Sequence, residues 1–196
     1  MNHHFIGTRR AVVALCLGLL VVALGALSAS AAGPCTSVCY ADAVGGNDAN
    51  DGDTPATAKK TIQAAVNQVT AGGQVFVLDG LYPEAVTVNK AVTITGNGPA
   101  NTTVDPTSGN GFGITASNVT IEDLKITDAA QGARLSGTIS DITFDNVHFV
   151  NNTSRGIEMQ NGAGLLISNV EVLNSLFDNN NLGIRMSSTT TADGIL

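Results

Sequence analysis

Tryptophan is absent from these 196 residues, tyrosine occurs twice, and aromatic side chains make up only 4% of the chain. Sugar-binding clefts commonly offer aromatic platforms. Tyr40 and Tyr82 lie outside the repeated region described below, so the composition weakens an enzymatic carbohydrate site in the repeats. Charge is also sparse, at 13%, and unbalanced: 9 Lys+Arg against 16 Asp+Glu give a net of -7. That surface is a poor partner for nucleic acid, whose binding rests on cationic contacts to phosphate. Of three histidines, His3 and His4 lie at the extreme N-terminus and only His148 is internal. A histidine-based metal cluster is therefore excluded, and copper delivery is disfavoured. No G-x-S-x-G, Walker loop or CxxC occurs, which removes the common signatures of nucleophile-elbow hydrolases, P-loop nucleotide binding and dithiol redox chemistry.

After residue 27 no run is apolar enough to span a membrane, whereas before it one is: Arg9-Arg10 precede an apolar stretch from Ala11 to Leu27, followed by Ala29-Ser30-Ala31. A basic start, an apolar core and a small-residue cleavage site describe a secretory signal peptide over residues 1–32. The alternative is a transmembrane anchor; the adjacent A-x-A site favours cleavage. Export places the chain outside the cytoplasm, secreted or at the cell surface. Removing the leader takes away two arginines and no carboxylate, leaving 7 Lys+Arg against 16 Asp+Glu. Cys16 leaves with it. Cys35 and Cys39 remain, and an exported chain can oxidise them to a local disulfide. The mature part, about 165 residues, is one domain's worth of chain.

What the chain does contain is a repeat. Val119-Thr120-Ile121-Glu122-Asp123-Leu124-Lys125-Ile126, Ile142-Thr143-Phe144-Asp145-Asn146-Val147-His148-Phe149 and Val170-Glu171-Val172-Leu173-Asn174-Ser175-Leu176-Phe177 place apolar residues mostly first, third, sixth and eighth, and Asp or Asn fifth. A second block follows each: Gly132-Ala133-Arg134-Leu135, Gly156-Ile157-Glu158-Met159 and Gly183-Ile184-Arg185-Met186. Copies start 23 and 28 residues apart, a solenoid period with loop insertions. Within a copy, period-2 alternation breaks at the fifth residue and resumes, which describes two short strands joined by a sharp bend. Asp123, Asn146 and Asn174 mark the bend because Asn and Asp tolerate left-handed backbone, and Gly96 takes the same place after Val92-Thr93-Ile94-Thr95. With the second block as a third strand, the expected fold is all-β: a right-handed, three-sheet parallel β-helix with rungs about 4.8 Å apart. Its interior columns are Val119/Ile142/Val170, Ile121/Phe144/Val172, Leu124/Val147/Ser175 and Ile126/Phe149/Phe177.

Upstream, residues 33–60 read as an N-terminal polar segment. Ile62, Ala65, Val66 and Val69 then recur at helical spacing before Gly72-Gly73. A short helix there would cap the open end of the stack, so residues 61–196 comprise a capping helix and coils. The chain stops at Ile195-Leu196 without a second cap, which suggests the N-terminal portion of a longer β-helix, with a naturally short or a partner-capped one as the alternatives.

Asn47-Asp48-Ala49-Asn50-Asp51-Gly52-Asp53-Thr54-Pro55-Ala56-Thr57, Lys60-Thr61-Ile62-Gln63-Ala64-Ala65-Val66, Gly73-Gln74-Val75-Phe76-Val77 and Gly80-Leu81-Tyr82-Pro83-Glu84 resemble the N-terminus of secreted right-handed parallel β-helix proteins of the pectate-lyase-like superfamily. The resemblance covers the whole mature chain and speaks to fold. It does not fix activity, since that superfamily includes polysaccharide lyases, glycoside hydrolases, epimerases, adhesins and copper-delivery proteins.

Candidate chemistry sits beside the bend. Glu122 and Asp145 occupy one outward place in adjacent copies, and Lys125 and His148 another. Carboxylates one rung apart repel, which favours a bound cation or a raised pKa. With Ca²⁺ between Glu122 and Asp145 and an acidic sugar bound, Lys125 or His148 would abstract the proton alpha to the uronate carboxylate, as the superfamily's lyases use a basic residue. The plainer reading, which weighs more, pairs Glu122 with Lys125 and Asp145 with His148 or solvent. Arg134, Glu158 and Arg185 read as an outward structural ladder of alternating sign. The loop carrying Asp48, Asp51 and Asp53 invites calcium, yet Gly52, Asp53 and Lys59 break the EF-hand pattern, and such residues form Asx turns without an ion. The expected function is binding or processing of extracellular polysaccharide or a cell-surface glycan, most plausibly acidic. Its rival is a non-enzymatic adhesin or surface spacer.

Overall fold

The computed structural model describes residues 34–160 and 165–187, and the backbone of 191–195. The predicted leader, with Cys16, His3 and His4, lies outside the described residues. The chain winds as a parallel β-solenoid with three faces. Face 1 stacks β1 (Val38–Ala41), β2 (Gly73–Val77), β5 (Val92–Thr95), the first halves of β8 (Val119–Thr127) and β10 (Ile139–Val150), then β12 (Leu166–Leu173) and β15 (Thr191–Ile195). Face 2 stacks β3 (Gly80–Tyr82), β6 (Thr102–Val104), the second halves of β8 and β10, and β13 (Leu176–Asp178). Face 3 stacks β4 (Val86–Val88), β7 (Asn110–Ile114), β9 (Gln131–Ser136), β11 (Arg155–Gln160) and β14 (Leu182–Met186). Every strand pairing is parallel.

Register follows the repeat. Ile142 lies over Val119 and under Val170, Phe144 between Ile121 and Val172, and Phe149 between Ile126 and Phe177. Val119, Ile121, Leu124, Ile126, Ile142, Phe144, Val147 and Phe149 are fully buried. Each large apolar side chain so buried contributes roughly 1.5–3 kcal/mol, so these columns are the main source of stability. On face 3 Ala133, Ile157 and Ile184 form the matching column.

The bends are gentler than two strands joined at a corner. At Asp123, Asn146 and Asn174 φ is 55°, 52° and 48°, and in β8 and β10 the ladder omits only that residue. One left-handed residue turns the strand without ending its pairing. Gly96 differs: it is not left-handed, and it is glycine because a Cβ there would lie 2.2 Å from the Asp123 carbonyl oxygen. Two further left-handed series, Asn118/Asp141/Asn169 and Asp128/Asn151/Asn179, make the other corners of face 1 and face 2. Side chains link them along the stack: Asn146 donates to Asp123 at 2.7 Å, Asn169 to Asp141 at 2.5 Å and Asn179 to Asn151 at 2.7 Å. Inside, Asn152 is 1% exposed yet satisfied, accepting from the Ala129 amide and donating to Asn180 and the Ile126 carbonyl.

At the N-terminal end, α1 (Ile62–Gln68) buries Ile62, Ala65 and Val66 and packs on β1, β2 and β4. Thr61 caps it by accepting from the Ala64 amide. The helix does not precede the first strand, because β1 comes earlier in the chain and pairs with β2. A four-residue strand between turn-rich stretches carries too short an alternation to stand out. No described helix is long and apolar enough to cross a membrane.

Gly132 opens the face 3 block because Phe149 packs across it: a Cβ would lie 2.5 Å from the ring and 2.7 Å from the Gly156 carbonyl oxygen. Gly132→Ala is expected to destabilise the chain by about 1–3 kcal/mol through overpacking. Urea unfolding measures it; a loss below about 0.5 kcal/mol, the range of an ordinary surface change, would contradict this packing.

Candidate functional site

Because side chains alternate along each strand, register decides what shares a column outside the solenoid as well as inside it. On face 2 the outward column runs Leu81, Thr103, Lys125, His148, Leu176. On face 1 two columns run outward. One is Val38, Gln74, Thr93, Thr120, Thr143, Glu171 and the other Tyr40, Phe76, Thr95, Glu122, Asp145, Leu173.

Glu122 and Asp145 therefore stand on adjacent rungs, as do Lys125 and His148, with the Asp123/Asn146 corner between the two pairs. Neither carboxylate takes the charged side-chain partner of the plainer reading. Glu122 accepts from the Thr95 hydroxyl at 2.7 Å, and Thr95 in turn accepts from the Gln74 amide at 3.2 Å. Asp145 accepts from Asn174 at 2.8 Å. Among the described residues the ion pair is Arg155 with Glu158, 2.6 Å apart but outside hydrogen-bond geometry. Glu158 thus turns to a neighbour on its own strand, while Arg134 donates through Nε to Gln160 at 2.8 Å. The Arg134/Glu158/Arg185 column keeps its predicted register without the predicted pairing.

The aspartate-rich loop is organised around an internal ammonium. Lys59 is 5% exposed, and its Nζ donates to the carbonyls of Asp48, at 3.2 Å, and Asn50. Asp48 accepts from the Lys60 and Thr61 amides at 2.8 and 2.9 Å, and Asp51 from the Asp53 amide at 3.0 Å. Hydrogen bonding, first from the Thr57 side chain, holds Asp51 below the usual carboxylate range. Among the described residues no three His, Cys, Asp or Glu side chains gather closely enough to hold a metal ion. The Cys35 and Cys39 sulfurs are bonded, with Cα atoms 5.3 Å apart, and both residues are buried.

The composition had left this surface without an aromatic platform. Register supplies one: Tyr40 and Phe76, drawn from β1 and from the strand after α1, are half-buried, stacked neighbours with centroids 5.5 Å apart and planes at 22°. They head the column that holds Glu122 and Asp145. Phe76 belongs to an alternating run in the sequence, whereas Tyr40 sits on a four-residue strand too short to display one. Glu171 is the charged outward residue of these columns that the sequence did not single out.

Residues 61–194 match the family model described as a right-handed β-helix region. The chain belongs to the right-handed β-helix family. No curated protein matches it. What the β-helix scaffold supports by itself is, at most, a surface or polysaccharide-related protein.

A cleft of about 250 Å³ at the N-terminal end of face 2 is lined by Lys60, Thr61, Leu81, Tyr82, Pro83 and Glu84. It is smaller than common small-molecule sites, and its polar groups serve the fold. Tyr82 donates to the carbonyls of Ala41 and Leu78, and burial raises its pKa. Glu84 accepts from the Ile62 and Gln63 amides at 2.7 and 2.9 Å, closing the start of α1. Burial nevertheless lifts the Glu84 carboxyl above its ordinary value of 4.5, against the lowering effect of those two amides. Folding thus favours its protonated form, so its stabilising contribution is full below that ordinary value and is lost as pH rises through the raised one. Glu84→Gln is expected to lose less stability than wild type between pH 4.5 and neutrality. Parallel urea curves across that range test this, and an equal pH slope in both proteins would refute it.

Proposed function

We propose that this β-helix is secreted or displayed at the cell surface and binds extracellular polysaccharide along the outward side of face 1 and its corner with face 2. The observation that carries the reading is the unbroken outward column in which a stacked aromatic pair is followed, rung by rung, by a hydroxyl and two carboxylates. Sugars offer both apolar ring faces and dense hydroxyl donors, and such a column answers both. The rival reading, an adhesin or spacer, needs none of these residue types in register.

An acidic variant of the reading requires a cation between Glu122 and Asp145, which stand in register on adjacent rungs. Two carboxylates fall short of the six to eight oxygens that Ca²⁺ takes, so water and a uronate would supply the rest. Lys125 or His148, across the corner, would then stand as the base of a lyase. In that variant Glu122→Gln with Asp145→Asn abolishes calcium-dependent heat on titration with polygalacturonate. Stability should change by less than about 0.5 kcal/mol, as for outward substitutions generally. Equal heats in wild type and double variant, or none in either, would remove the calcium–uronate site. The broader reading stands on affinity electrophoresis of the full chain through gels containing neutral or acidic polysaccharides. Retardation by any of them supports it, and free migration through all of them leaves the spacer.

A further inference from the structure

We infer that the ligand is a neutral glycan, and that Tyr40 and Phe76 form its anchoring subsite at the N-terminal end of face 1. This rests on the polysaccharide reading and narrows it. Three features of the face lead there.

Charge comes first. The face 1 portions of these strands contain no lysine or arginine, Lys125 of β8 standing beyond the corner on face 2, while Glu122, Asp145 and Glu171 all stand outward on face 1. A polyanion laid along this face would meet carboxylates with no fixed cation on the face itself to offset them. A neutral chain meets acceptors and hydroxyls: Gln74, Thr93, Thr95, Thr120 and Thr143 hold most of the remaining outward places, with Val38 and Leu173 at the column ends.

Apolar surface comes second. Tyr40 and Phe76 alternate with the buried Cys39, Ala41, Val75 and Val77, so their rings lie on the outer side of the sheet. Their stacking fixes each ring against the other, at 5.5 Å between centroids. A rigid aromatic pair on an otherwise hydroxyl-rich face is the kind of surface that packs against the C–H face of a sugar ring.

Spacing comes third. Rungs lie about 4.8 Å apart, comparable with the length of one pyranose unit in an extended polymer. A glycan running along the solenoid axis would set one sugar against the aromatic pair and successive sugars against the Thr95 and Glu122 rungs. The hydrogen bonds from Gln74 to Thr95 and from Thr95 to Glu122 pre-orient those groups along the same line.

Affinity electrophoresis through gels containing hydroxyethylcellulose, glucomannan or polygalacturonate, each with calcium and with EDTA, tests the inference. The expected result is retardation by a neutral polymer, unchanged by EDTA. Tyr40→Leu with Phe76→Leu, which keeps apolar bulk and removes the rings, should weaken that binding by about tenfold, the scale of a lost aromatic contact. Thr95→Val, one rung on with both rings intact, should weaken it by about threefold, as for one lost hydrogen bond, and decides the matter if the leucine variant does not fold. Retardation by polygalacturonate alone, or neutral binding indifferent to these substitutions, would overturn the inference and leave the polysaccharide reading intact. No retardation by any polymer would overturn both.

Discussion

Successive rungs are joined by parallel backbone hydrogen bonds, and because side chains alternate with period 2, one fixed pair such as Phe144 over Ile121 places every other residue of the rung. A slip of one residue would turn Ile142, Phe144, Val147 and Phe149 outward and bring Thr143, Asp145 and His148 into the core. At roughly 1.5–3 kcal/mol for each large apolar side chain expelled, and more for a charge buried without a partner, no alternative register competes. The surface columns are therefore by-products of the core: Glu122 meets Asp145 and Tyr40 meets Phe76 because the buried residues beside them must stack.

That constraint transfers strain to the corners. A strand that keeps its hydrogen bonds while changing direction needs one residue in the left-handed region, and the chain places Asn or Asp there at each corner of β8, β10 and the following coil. For most side chains this conformation costs about 1–2 kcal/mol. Asn and Asp reduce the cost through local hydrogen bonding, and here they also bond to one another along the axis, as Asn146 does to Asp123 and Asn179 to Asn151. Hydrogen bonds from Ser140 and then Asn169 hold the Asp141 carboxyl below the usual carboxylate range. A charged corner is thus stabilised by its neighbours on the same and the next rung.

The core columns and the three-strand turn were legible in the sequence because they recur: three copies in which inward places are apolar and the fifth place is Asn or Asp. The other two left-handed series were equally periodic, with Asn118, Asp141 and Asn169 keeping the same spacings, but they fall outside the eight-residue motif. Interactions within a rung were harder to read. Glu158 pairs with Arg155, three residues earlier on its own strand, rather than with the arginines above and below it. Strand alternation alone places those two residues on opposite faces. The least legible element was β1. Four residues cannot display a period convincingly, and Tyr40 acquires its meaning only from a neighbour, Phe76, that lies beyond a loop, a 3-10 turn and a helix.

This difference between repeated and unrepeated sequence bears on where function can reside. Residues that repeat are held in place by the columns they build, and their substitution disturbs neighbours on both sides. Outward places that break the repeat, such as Tyr40, Phe76 and Thr95 in a column that becomes acidic at Glu122 and Asp145, are free of that requirement. Nothing in the packing demands a graded series from aromatic through hydroxyl to carboxylate along one line. A uniform column of threonine, as Thr93, Thr120 and Thr143 form alongside it, would serve the sheet equally well. On the proposed reading the gradient answers a demand from outside the fold, and an extended ligand with both apolar faces and hydroxyl groups is the chemistry that would make it.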